Sequence, residues 1–526
     1  MALKDNIYRL RHDCGMTQAK FAEKFGVSYQ SVQKWESGEA KPDLDNIIKI
    51  SKAYGITLDA LLFDSNKRLE EELHRNKRIA PSYDQMHSWE LFFEQLETEY
   101  RQCVEEGLDI EEYADLFTCV SRLPRGAYKK AIADVIAEIV INAPIREDYA
   151  YDEPSDYDTI RKNSDPMKFE EGALDREALK EKIKGAWYAR ISGCLLGKTV
   201  EGIRTDELIP MLKESGNYPM HRYILRSDIT DEMIERYKFR FASRCYADTV
   251  KNAPSDDDTN YTVLYQKVID KYGRDFTSQD VARAWVDYQP KYAYCTAERV
   301  AFCNFVKGYA PPVSAVHKNP FREWIGAQIR ADYFGYVNPG NPEAAAEMAY
   351  RDACISHTKN GIYGEMFAAA MIAAAAVSDD MTQIIAAGLS VVPKKSRLYE
   401  NVSRIVDMYK EGKTVYECVG DIHSRWDEYN AHDWCHTVSN AEIVAACLLY
   451  GGNDFSRSIC LAVQCGFDTD CNAATVGSVL GMKNGARSVG KEWTDPLHGK
   501  LDTGIFGMTT VDIDTLVNKT MEHLPF

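Results

Sequence analysis

The sequence predicts an all-α protein with a small five-helix domain at the N-terminus, a helical linker and a large all-helical domain. Three observations support this prediction. Apolar residues recur at steps of three and four, convincing strand alternation is scarce, and 526 residues exceed what one hydrophobic core usually serves. We therefore expect domains over residues 1–63, 64–144 and 145–526.

The composition is that of a water-soluble globular protein, with 45% hydrophobic and 27% charged residues. A membrane-spanning helix needs a run of about eighteen or more apolar residues, and the sequence has none. The charged start, MALKDNIYRLRHD, lacks the apolar segment of a signal peptide, so we expect a cytoplasmic protein with no membrane partner. Fourteen cysteines without a C-x-x-C pair then predict free, buried thiols.

The net charge of −17 argues against a protein that coats nucleic acid over its whole surface. The charge is unevenly placed, because residues 1–63 hold nine lysines and arginines against eight aspartates and glutamates. The acidic excess therefore lies on the rest of the chain. A near-neutral N-terminal module can bind DNA locally while the acidic body is repelled from it.

Residues 3–63 predict five short helices with a helix-turn-helix among them. Thr17 fits an N-cap, Gly26 ends that helix, and Ser28 caps the next one, which Gly38 closes. A tight turn at Gly26 would set the two helices at a steep angle. The second helix could then enter a DNA major groove.

This segment resembles the Cro/phage-repressor-like (XRE) family over about residues 5–63. By that resemblance residues 28–36 form the recognition helix, and a double-stranded DNA operator is the expected partner. The side chains expected to meet the DNA are Gln18, Tyr29, Gln30, Ser31, Gln33 and Lys34. The glutamines of the recognition helix suit adenine, the lysine suits guanine or phosphate, and the other polar groups suit phosphate oxygens. The alternative is a five-helix interaction module with no DNA role.

Residues 64–78 are charged and predict a helical or frayed linker. Residues 84–143 follow with three helical apolar stripes, in WELFFEQLETEYRQCVEEG, IEEYADLFTCVSRL and YKKAIADVIAEIVINA. Such stripes need a partner, and one helix-turn-helix module reads a single half-site of an operator. We therefore expect a homodimer that forms through these helices. An acidic connector over residues 146–158 leads into the large domain.

Two acidic clusters stand out in the large domain, each at the start of an apolar helix. They are Asp256-Asp257-Asp258-Thr259 and Asp468-Thr469-Asp470-Cys471. The helix dipole favours negative charge there, and a bound cation can neutralise carboxylates that would otherwise repel each other. Oxygen ligands without nearby His–Cys pairs point to magnesium, manganese or calcium rather than zinc. The alternative for either cluster alone is a solvated N-cap.

Four blocks in order resemble the ADP-ribosylglycohydrolases, a family of all-helical enzymes with a two-magnesium centre, over about residues 179–526. These blocks are residues 184–201 with the motif SGCLLGKTVE, the first acidic cluster, residues 351–357 and the second acidic cluster. The resemblance implies two magnesium ions, or manganese in their place. The implied metal ligands are Asp256, Asp257, Asp258, Asp468 and Asp470.

The resemblance also implies a substrate, which is ADP-ribose or an ADP-ribosylated molecule. A ribosyl bond breaks through an oxocarbenium-like state, so positioning and electrostatics dominate catalysis. The implied catalytic residues are Asp257, Asp470 and Glu201, with Glu201 as a substrate-contacting acid or base. The implied substrate-binding residues are Glu201, His357, Asn338, Gly340, Gly361 and Tyr363. The alternatives are a surface glutamate at position 201 and a hydrogen-bonded core histidine at position 357.

Three positions depart from the family's pattern. Asp256 and Cys471 stand where the two metal motifs usually have threonine, and Cys194 stands where the opening helix commonly has aspartate. An extra carboxylate can offset a lost hydroxyl, so we expect metal binding to persist without Cys471 as a ligand. Three functions remain open: an active hydrolase with a DNA-binding domain, a ligand-sensing transcription regulator without turnover, and an antitoxin-like protein that reverses ADP-ribosylation by a partner toxin.

Overall fold

The computed structural model describes residues 2–63, 86–169 and 175–525, and the chain divides into two compact units, Met1–Gln85 and Met86–Phe526. The predicted all-α class is confirmed, since helices make up nearly all of the regular structure in both units. The linker predicted over residues 64–78 lies outside the described residues. No helix within the described ranges is long and apolar enough to cross a membrane.

The N-terminal unit consists of five helices around a small apolar core. The helices are α1 (Ala2–Asp13), α2 (Gln18–Phe25), α3 (Tyr29–Ser37), α4 (Leu44–Tyr54) and α5 (Leu58–Leu62). Side-chain oxygens cap the helix starts, because they accept from backbone N–H groups that have no partner within the helix. Thr17 accepts from the Lys20 N–H at 3.3 Å, and Ser28 accepts from the Ser31 N–H at 3.1 Å. Buried side chains of all five helices form the core, among them Ile7, Phe21, Trp35, Ile47 and Leu61.

The turn between α2 and α3 depends on Gly26. Its φ is 68°, in the left-handed region that glycine adopts without steric cost. The Gly26 N–H donates to the Glu23 carbonyl at 3.2 Å, and the Val27 N–H donates to the Ala22 carbonyl at 3.0 Å. These bonds end α2 and lead the chain directly into α3. The helix-turn-helix predicted from the sequence is therefore present.

Four α-helices begin the large unit. They are α6 (Leu96–Glu105), α7 (Ala114–Ser121), α8 (Ala127–Asn142) and α9 (Tyr157–Asn163). Part of their apolar surface packs in a cluster of its own that includes Leu96, Phe117 and Ile136. Buried ion pairs join them to later segments of the chain, as where Arg322 binds Glu99 at 3.0 Å. From Met86 onward, the region predicted as a linker and dimer contact therefore packs within the large unit.

Over residues 175–525 the regular structure is helical apart from one small ribbon. Its α-helices are α10 (Arg176–Lys198), α11 (Thr205–Glu214), α12 (Asp231–Arg236), α13 (Asp257–Tyr272), α14 (Ser278–Tyr288), α15 (Thr296–Val306), α16 (Val313–Val316), α17 (Asp332–Tyr336), α18 (Pro342–Ala353), α19 (Lys359–Ala375), α20 (Met381–Ser390), α21 (Arg397–Lys410), α22 (Val415–Arg425), α23 (Ala431–Cys435), α24 (Thr437–Tyr450), α25 (Phe455–Gln464), α26 (Thr469–Asn484), α27 (Lys491–Thr494) and α28 (Ile513–Glu522). Strands β1 (Lys500–Asp502) and β2 (Thr510–Asp512) pair antiparallel. Strands of three residues are too short to produce the alternation that predicts a sheet.

Helices α10 and α26 pack with their backbones in direct contact, and glycines make this possible. A Cβ added to Gly185 would lie 2.4 Å from the Gly481 carbonyl oxygen. One added to Gly197 would lie 2.3 Å from the Asp470 backbone nitrogen. Only residues without a side chain fit at such points. The contact places the C-terminal end of α10 beside the N-terminal end of α26, where the second acidic cluster lies.

Candidate metal centre and DNA-binding surface

The first acidic cluster starts α13. Asp256 is the N-cap residue, and its Oδ1 accepts from the Asp258 N–H at 3.0 Å, as a carboxylate at a helix N-terminus is expected to do. Its Oδ2 forms an ion pair with the ammonium group of Lys198 at the end of α10. Both carboxylate oxygens of Asp256 are therefore engaged by the protein itself. Asp257, the first residue of α13, is half-buried.

Asp258 is fully buried beside Arg190 of α10. The Arg190 Nη2 donates to Asp258 Oδ1 at 3.1 Å, and its Nη1 lies 2.8 Å from the Asp332 carboxylate. Within the described part of the chain, Asp258 Oδ2 is buried and accepts no hydrogen bond of normal geometry, although the weak thiol donor of Cys471 lies near this carboxylate. A buried oxygen without a donor costs free energy, so Oδ2 is available to a bound cation.

The second acidic cluster follows a sharp turn. Gly466 and Phe467 both have positive φ values, 76° and 55°, and Asp468 is then the N-cap residue of α26. The Asp468 N–H donates to the Asn440 side-chain oxygen at 3.2 Å, which holds the turn in place. Asp470 is only 3% exposed. Its Oδ1 is buried and has no hydrogen-bond partner among the described residues.

The two clusters form two groups of candidate metal ligands. Within each group the ligand atoms lie within 4.8 Å of one another, and the groups are Cys194 with Asp256 and Asp258, and Asp468 with Asp470 and Cys471. Burial raises the pKa values of Asp258 and Asp470 well above the ordinary range, and neighbouring carboxylates add to the effect. A divalent cation would oppose this effect because it stabilises the ionised carboxylates.

Glu201 lies just beyond the end of α10. Its side chain is 40% exposed, and its Oε2 lies 3.9 Å from the guanidinium of Arg244. Desolvation raises the pKa of Glu201, and the negative charge of Asp256 raises it further. Glu201 is therefore close enough to the carboxylate centre to feel its charge and exposed enough to meet a substrate.

His357, the predicted ribose or phosphate contact, is buried in the connection between α18 and α19. Its Nδ1 lies 2.8 Å from the Ser356 hydroxyl oxygen, and burial lowers the pKa of the imidazole well below its ordinary value. Gly361 packs against it, since a Cβ added there would lie 3.0 Å from the His357 ring and 2.6 Å from the Arg322 carbonyl oxygen. The His357 Nε2 atom is buried and has no hydrogen-bond partner among the described residues, so its contact with a substrate stays a prediction.

Three further predicted substrate contacts also have structural partners. Asn338 is 3% exposed, and the Gly340 N–H donates to the Ala373 carbonyl at 2.8 Å. The buried Tyr363 hydroxyl donates to the Pro154 carbonyl. None of these contacts, within the described residues, includes a carboxylate of the metal centre. The role of these residues in substrate binding stays a prediction.

Three cationic residues near the centre were missed by the sequence analysis: Lys198, Arg190 and Arg244. Arg190 precedes Cys194 by four residues, and Lys198 follows it by four. This spacing places Arg190, Cys194 and Lys198 on one face of α10. The same spacing is the sequence signal that could have identified Arg190 and Lys198. Arg244 approaches Glu201 from a distant loop, which no local pattern indicates.

A third group of candidate ligands consists of Glu105, His432 and His436. The Trp324 indole N–H donates to His432 Nδ1 at 3.0 Å. Likewise, the Val438 N–H donates to His436 Nδ1 at 3.1 Å. Each imidazole therefore carries its proton on Nε2, and the His432 Nε2–H donates to Glu105 at 2.9 Å. Because a metal ion needs an unprotonated nitrogen, we assign this group to hydrogen bonding between α6 and α23–α24.

In the N-terminal unit, α3 presents an exposed polar face. Val32 and Trp35 are buried in the core. Four of the predicted DNA contacts on this helix are exposed, namely Tyr29, Gln30, Gln33 and Lys34, whereas Ser31 is half-buried. Exposed polar side chains on one face are what a helix needs to read base edges in a major groove.

The two other predicted DNA contacts have partners within the unit. Gln18 Nε2 donates to the Glu36 carboxylate at 2.6 Å, and Arg11 Nε donates to the same carboxylate at 2.6 Å. The hydroxyl oxygens of Ser31 and Ser28 lie 2.8 Å apart. The amide of Gln18 has a second N–H that could reach a phosphate, so its contact with DNA stays a prediction.

Comparison with known proteins matches the N-terminal unit and the large unit to two different families. A family model described as ADP-ribosylglycohydrolase matches residues 175–523, and one described as helix-turn-helix matches residues 7–61. Both acidic clusters and Glu201 lie within the first match. The second match contains α3.

The N-terminal unit is similar to curated transcription regulators. The cryptic phage CTXphi transcriptional repressor RstR of Vibrio cholerae is 38% identical over 83 residues, which cover 15% of this chain and 74% of that protein. The HTH-type transcriptional activator BcrR of Enterococcus faecalis is 36% identical over 62 residues, which cover 12% of this chain and 30% of that protein.

Among solved structures, an ADP-ribosylglycohydrolase-related protein complex matches 66% of this chain and 98% of its own chain, at 14% identity and a TM-score of 0.42. The family model carries the assignment, because its match over residues 175–523 spans well over half of the sequence. The chain therefore belongs to the ADP-ribosylglycohydrolase family, and its N-terminus carries a helix-turn-helix domain like those of transcription regulators.

Proposed function

We propose that the large unit hydrolyses a ribosyl bond in an ADP-ribosylated substrate with the help of a divalent metal ion. The buried carboxylate centre is the observation that supports this proposal. Asp258 Oδ2 and Asp470 Oδ1 are buried and have no hydrogen-bond partner among the described residues. Both residues belong to the motifs that resemble the family's metal ligands. A cation bound at the carboxylate centre would supply a partner for such an oxygen.

The donor set fits magnesium or manganese. Asp258, Asp468 and Asp470 offer carboxylate oxygens, the ligands that both ions prefer. Cys471 adds a thiol where the family has a hydroxyl, and a softer donor of this kind suits a transition metal better than magnesium. When bound, the ion would polarise a water molecule or the ribose hydroxyl groups.

Glu201 is our candidate for the general acid or base. A carboxyl group whose pKa is raised is partly protonated nearer neutral pH, so it can donate a proton to a leaving group and later accept one from water. Its 40% exposure leaves it accessible to a substrate. The excess of carboxylates beside it also stabilises the positive charge that develops on the ribose as the bond breaks.

The N-terminal unit, in our proposal, binds a palindromic operator as part of a homodimer and so regulates transcription. One helix-turn-helix module reads one half-site, so two copies must be joined. On α8 a stripe of apolar residues remains exposed, with Tyr128 at 87% and Val135 at 58% exposure. This stripe is our candidate for the dimer contact. All fourteen cysteines are free thiols, which suits the reducing cytoplasm.

A second candidate function is a regulator that binds ADP-ribose without turnover. Cys471 and Cys194 favour it, because each replaces an oxygen-bearing side chain that the family usually has at this centre. A centre with fewer oxygen ligands can keep a ligand bound and still lose the ability to activate water. The DNA-binding unit would then report the presence of the ligand.

The deciding experiment incubates the full-length protein with a panel of ADP-ribosylated arginine, serine and nucleic-acid substrates. Each substrate is tested with magnesium, with manganese and with a chelator. Release of ADP-ribose that needs metal and is lost in Asp470→Asn supports the hydrolase. Asp454→Asn, at the exposed N-cap of α25, is the matched control and should keep full activity. Binding of ADP-ribose without release from any substrate would favour the sensor instead.

A further inference from the structure

Asp256 differs from the other carboxylates of the centre in its contacts. Its Oδ1 accepts from the Asp258 N–H at 3.0 Å, and its Oδ2 pairs with the ammonium group of Lys198. Asp258 Oδ2 and Asp470 Oδ1, by contrast, are buried without a hydrogen-bond partner in the described ranges. Asp258 also pairs with a protein cation, Arg190, but only through Oδ1 at 3.1 Å. Asp256 is therefore the carboxylate whose two oxygens are both engaged, whereas Asp258 and Asp470 each keep one oxygen free among the described residues.

The position of Lys198 is fixed by the packing of α10. The preceding residue, Gly197, lies against α26 so closely that an added Cβ would fall 2.3 Å from the Asp470 backbone nitrogen. The backbone that carries Lys198 therefore cannot move away from the acidic clusters without separating the two helices. The Asp256 side chain is 1% exposed and that of Lys198 is 22% exposed, so water screens their attraction only weakly.

We propose that Lys198 occupies one of the two cation positions of the carboxylate centre, so that the protein binds one divalent ion instead of two. This inference rests on the proposed metal centre and specifies its composition. The open position is the group of Asp468, Asp470 and Cys471, whose ligand atoms lie within 4.8 Å of one another. The carboxylate of Asp258 borders this group at the Cys471 thiol. A second divalent ion at Asp256 would have to displace the ammonium group or bind beside it against electrostatic repulsion.

The sequence departures at this centre agree with the proposal. Asp256 stands where the family motif usually has threonine, so this chain has one more negative charge at that point. The Lys198 ammonium compensates for that charge through a direct ion pair.

The test counts the manganese ions bound to the full-length protein, by equilibrium dialysis followed by elemental analysis. We expect one ion per chain in the wild type and in Lys198→Arg, which keeps the positive charge. Lys198→Met should bind two ions, because it frees the Asp256 carboxylate. Lys184→Met is the matched control on the same helix, since Lys184 pairs with the exposed Asp514 at 2.9 Å, and it should bind one ion.

Two ions in the wild type would overturn the inference while leaving a metal-dependent hydrolase in place. A single ion in Lys198→Met that folds like the wild type by circular dichroism would overturn it as well. No bound ion in the wild type would overturn both this inference and the metal centre proposed above. If Lys198→Met does not fold, the wild-type count still decides between one ion and two.

Discussion

Gly193 of α10 lies against Ala473 of α26, and a Cβ added to the glycine would fall 2.2 Å from the Ala473 carbonyl oxygen. No side chain fits in that space unless the two helices move apart. The same two helices carry Lys198 and Asp470 to the carboxylate centre. The geometry of the centre therefore depends on a residue that has no functional group of its own.

We expect Gly193→Ala to lower the free energy of unfolding by about 1–3 kcal/mol, the usual range for over-packing a tight contact. It should also weaken manganese binding, because the helices that carry the ligands must separate. The control is Gly420→Ala on α22, where an added Cβ meets nothing within 4 Å. That change should be neutral or stabilising by up to about 1 kcal/mol, since alanine favours a helix. Chemical denaturation of both variants checks the prediction, and equal effects would contradict it.

The stability of the large unit should depend on the protonation of Glu442. This residue is fully buried, and its carboxylate pairs with Arg425 at 2.8 Å. Burial nevertheless raises the pKa of Glu442 to about 7. Because this pKa exceeds the value in the unfolded chain, the folded state binds the proton more tightly. This proton therefore stabilises the folded protein fully when the pH is below the Glu442 pKa of the unfolded chain, roughly 4.3. The stabilisation is lost as the pH rises through the Glu442 pKa of the folded protein.

Replacing the Glu442 carboxyl group should remove this pH dependence of the free energy of unfolding. Between pH 5 and pH 8 we expect the wild type to lose roughly 3 kcal/mol of unfolding free energy relative to Glu442→Gln, since each pKa unit corresponds to about 1.4 kcal/mol. Glu411→Gln, at an exposed position after α21, is the control and should follow the wild type at every pH. Urea denaturation across this range gives the measurement. Parallel curves for the wild type and Glu442→Gln would refute the assignment.

Local sequence patterns predicted the helices and their caps. They could not predict contacts between segments that are far apart in the chain. The caps at Thr17 and Ser28 followed from spacing, because an N-cap bonds to a backbone group three residues away. Both acidic clusters were likewise found as carboxylates at helix starts. The pair of Lys198 and Asp256 spans 58 residues, and only the packing of α10 brings the two together. No local pattern reports such a contact.

The predicted nucleotide contacts show a second reason why sequence reasoning stops short. Gly361 and Tyr363 could serve a ligand or the core, because glycines and aromatic residues are used for both. In the structure, Tyr363 is buried and bonds to the Pro154 carbonyl, and Gly361 packs against His357. The sequence spacing of Gly361 and Tyr363 is the same whether they contact a ligand or pack in the core. Only the partners that surround a residue in three dimensions distinguish binding from packing.

The exposed face of α3 leads to a prediction about DNA. Gln30→Ala combined with Lys34→Ala should abolish preference for the operator, since a good base contact contributes about 1–3 kcal/mol of discrimination. Lys49→Ala, which removes a positive charge from an exposed position on α4, is the control and should keep the preference. Selection from a random DNA pool, followed by affinity measurements on the selected site, checks both. A wild-type protein that selects no sequence would exclude a sequence-specific regulator.

The apolar stripe on α8 leads to a prediction about assembly. Ile132 and Val135, which are 37% and 58% exposed, lie three residues apart and therefore on one side of the helix. Val135→Lys should convert a dimer into a monomer and weaken operator binding, because two half-sites would no longer be held by one particle. Ile141→Lys, exposed on another side of α8, should leave the dimer intact. Sedimentation at micromolar concentration distinguishes the outcomes, and a monomeric wild type would rule out this contact.

The last prediction concerns coupling between the two functions. We expect ADP-ribose with a divalent ion to change operator affinity several-fold, which corresponds to roughly 1–3 kcal/mol. The cause would be charge, since the chain beyond residues 1–63 carries a net charge of −18 and is repelled by DNA. Ligand binding that changes how close this acidic surface comes to the DNA would change the repulsion. The effect should shrink as salt rises, because the Debye length falls from about 10 Å at 0.1 M.

A fluorescence titration of labelled operator, with and without ADP-ribose and metal at two salt concentrations, measures this coupling. Linkage is reciprocal, so operator DNA should change the affinity for ADP-ribose by the same factor, and calorimetry provides that second value. Asp470→Asn is the control, because a variant that cannot hold the metal should give the same operator affinity with and without the ligand. If the wild type also gives identical curves in all four conditions, the two units act independently although they share one chain.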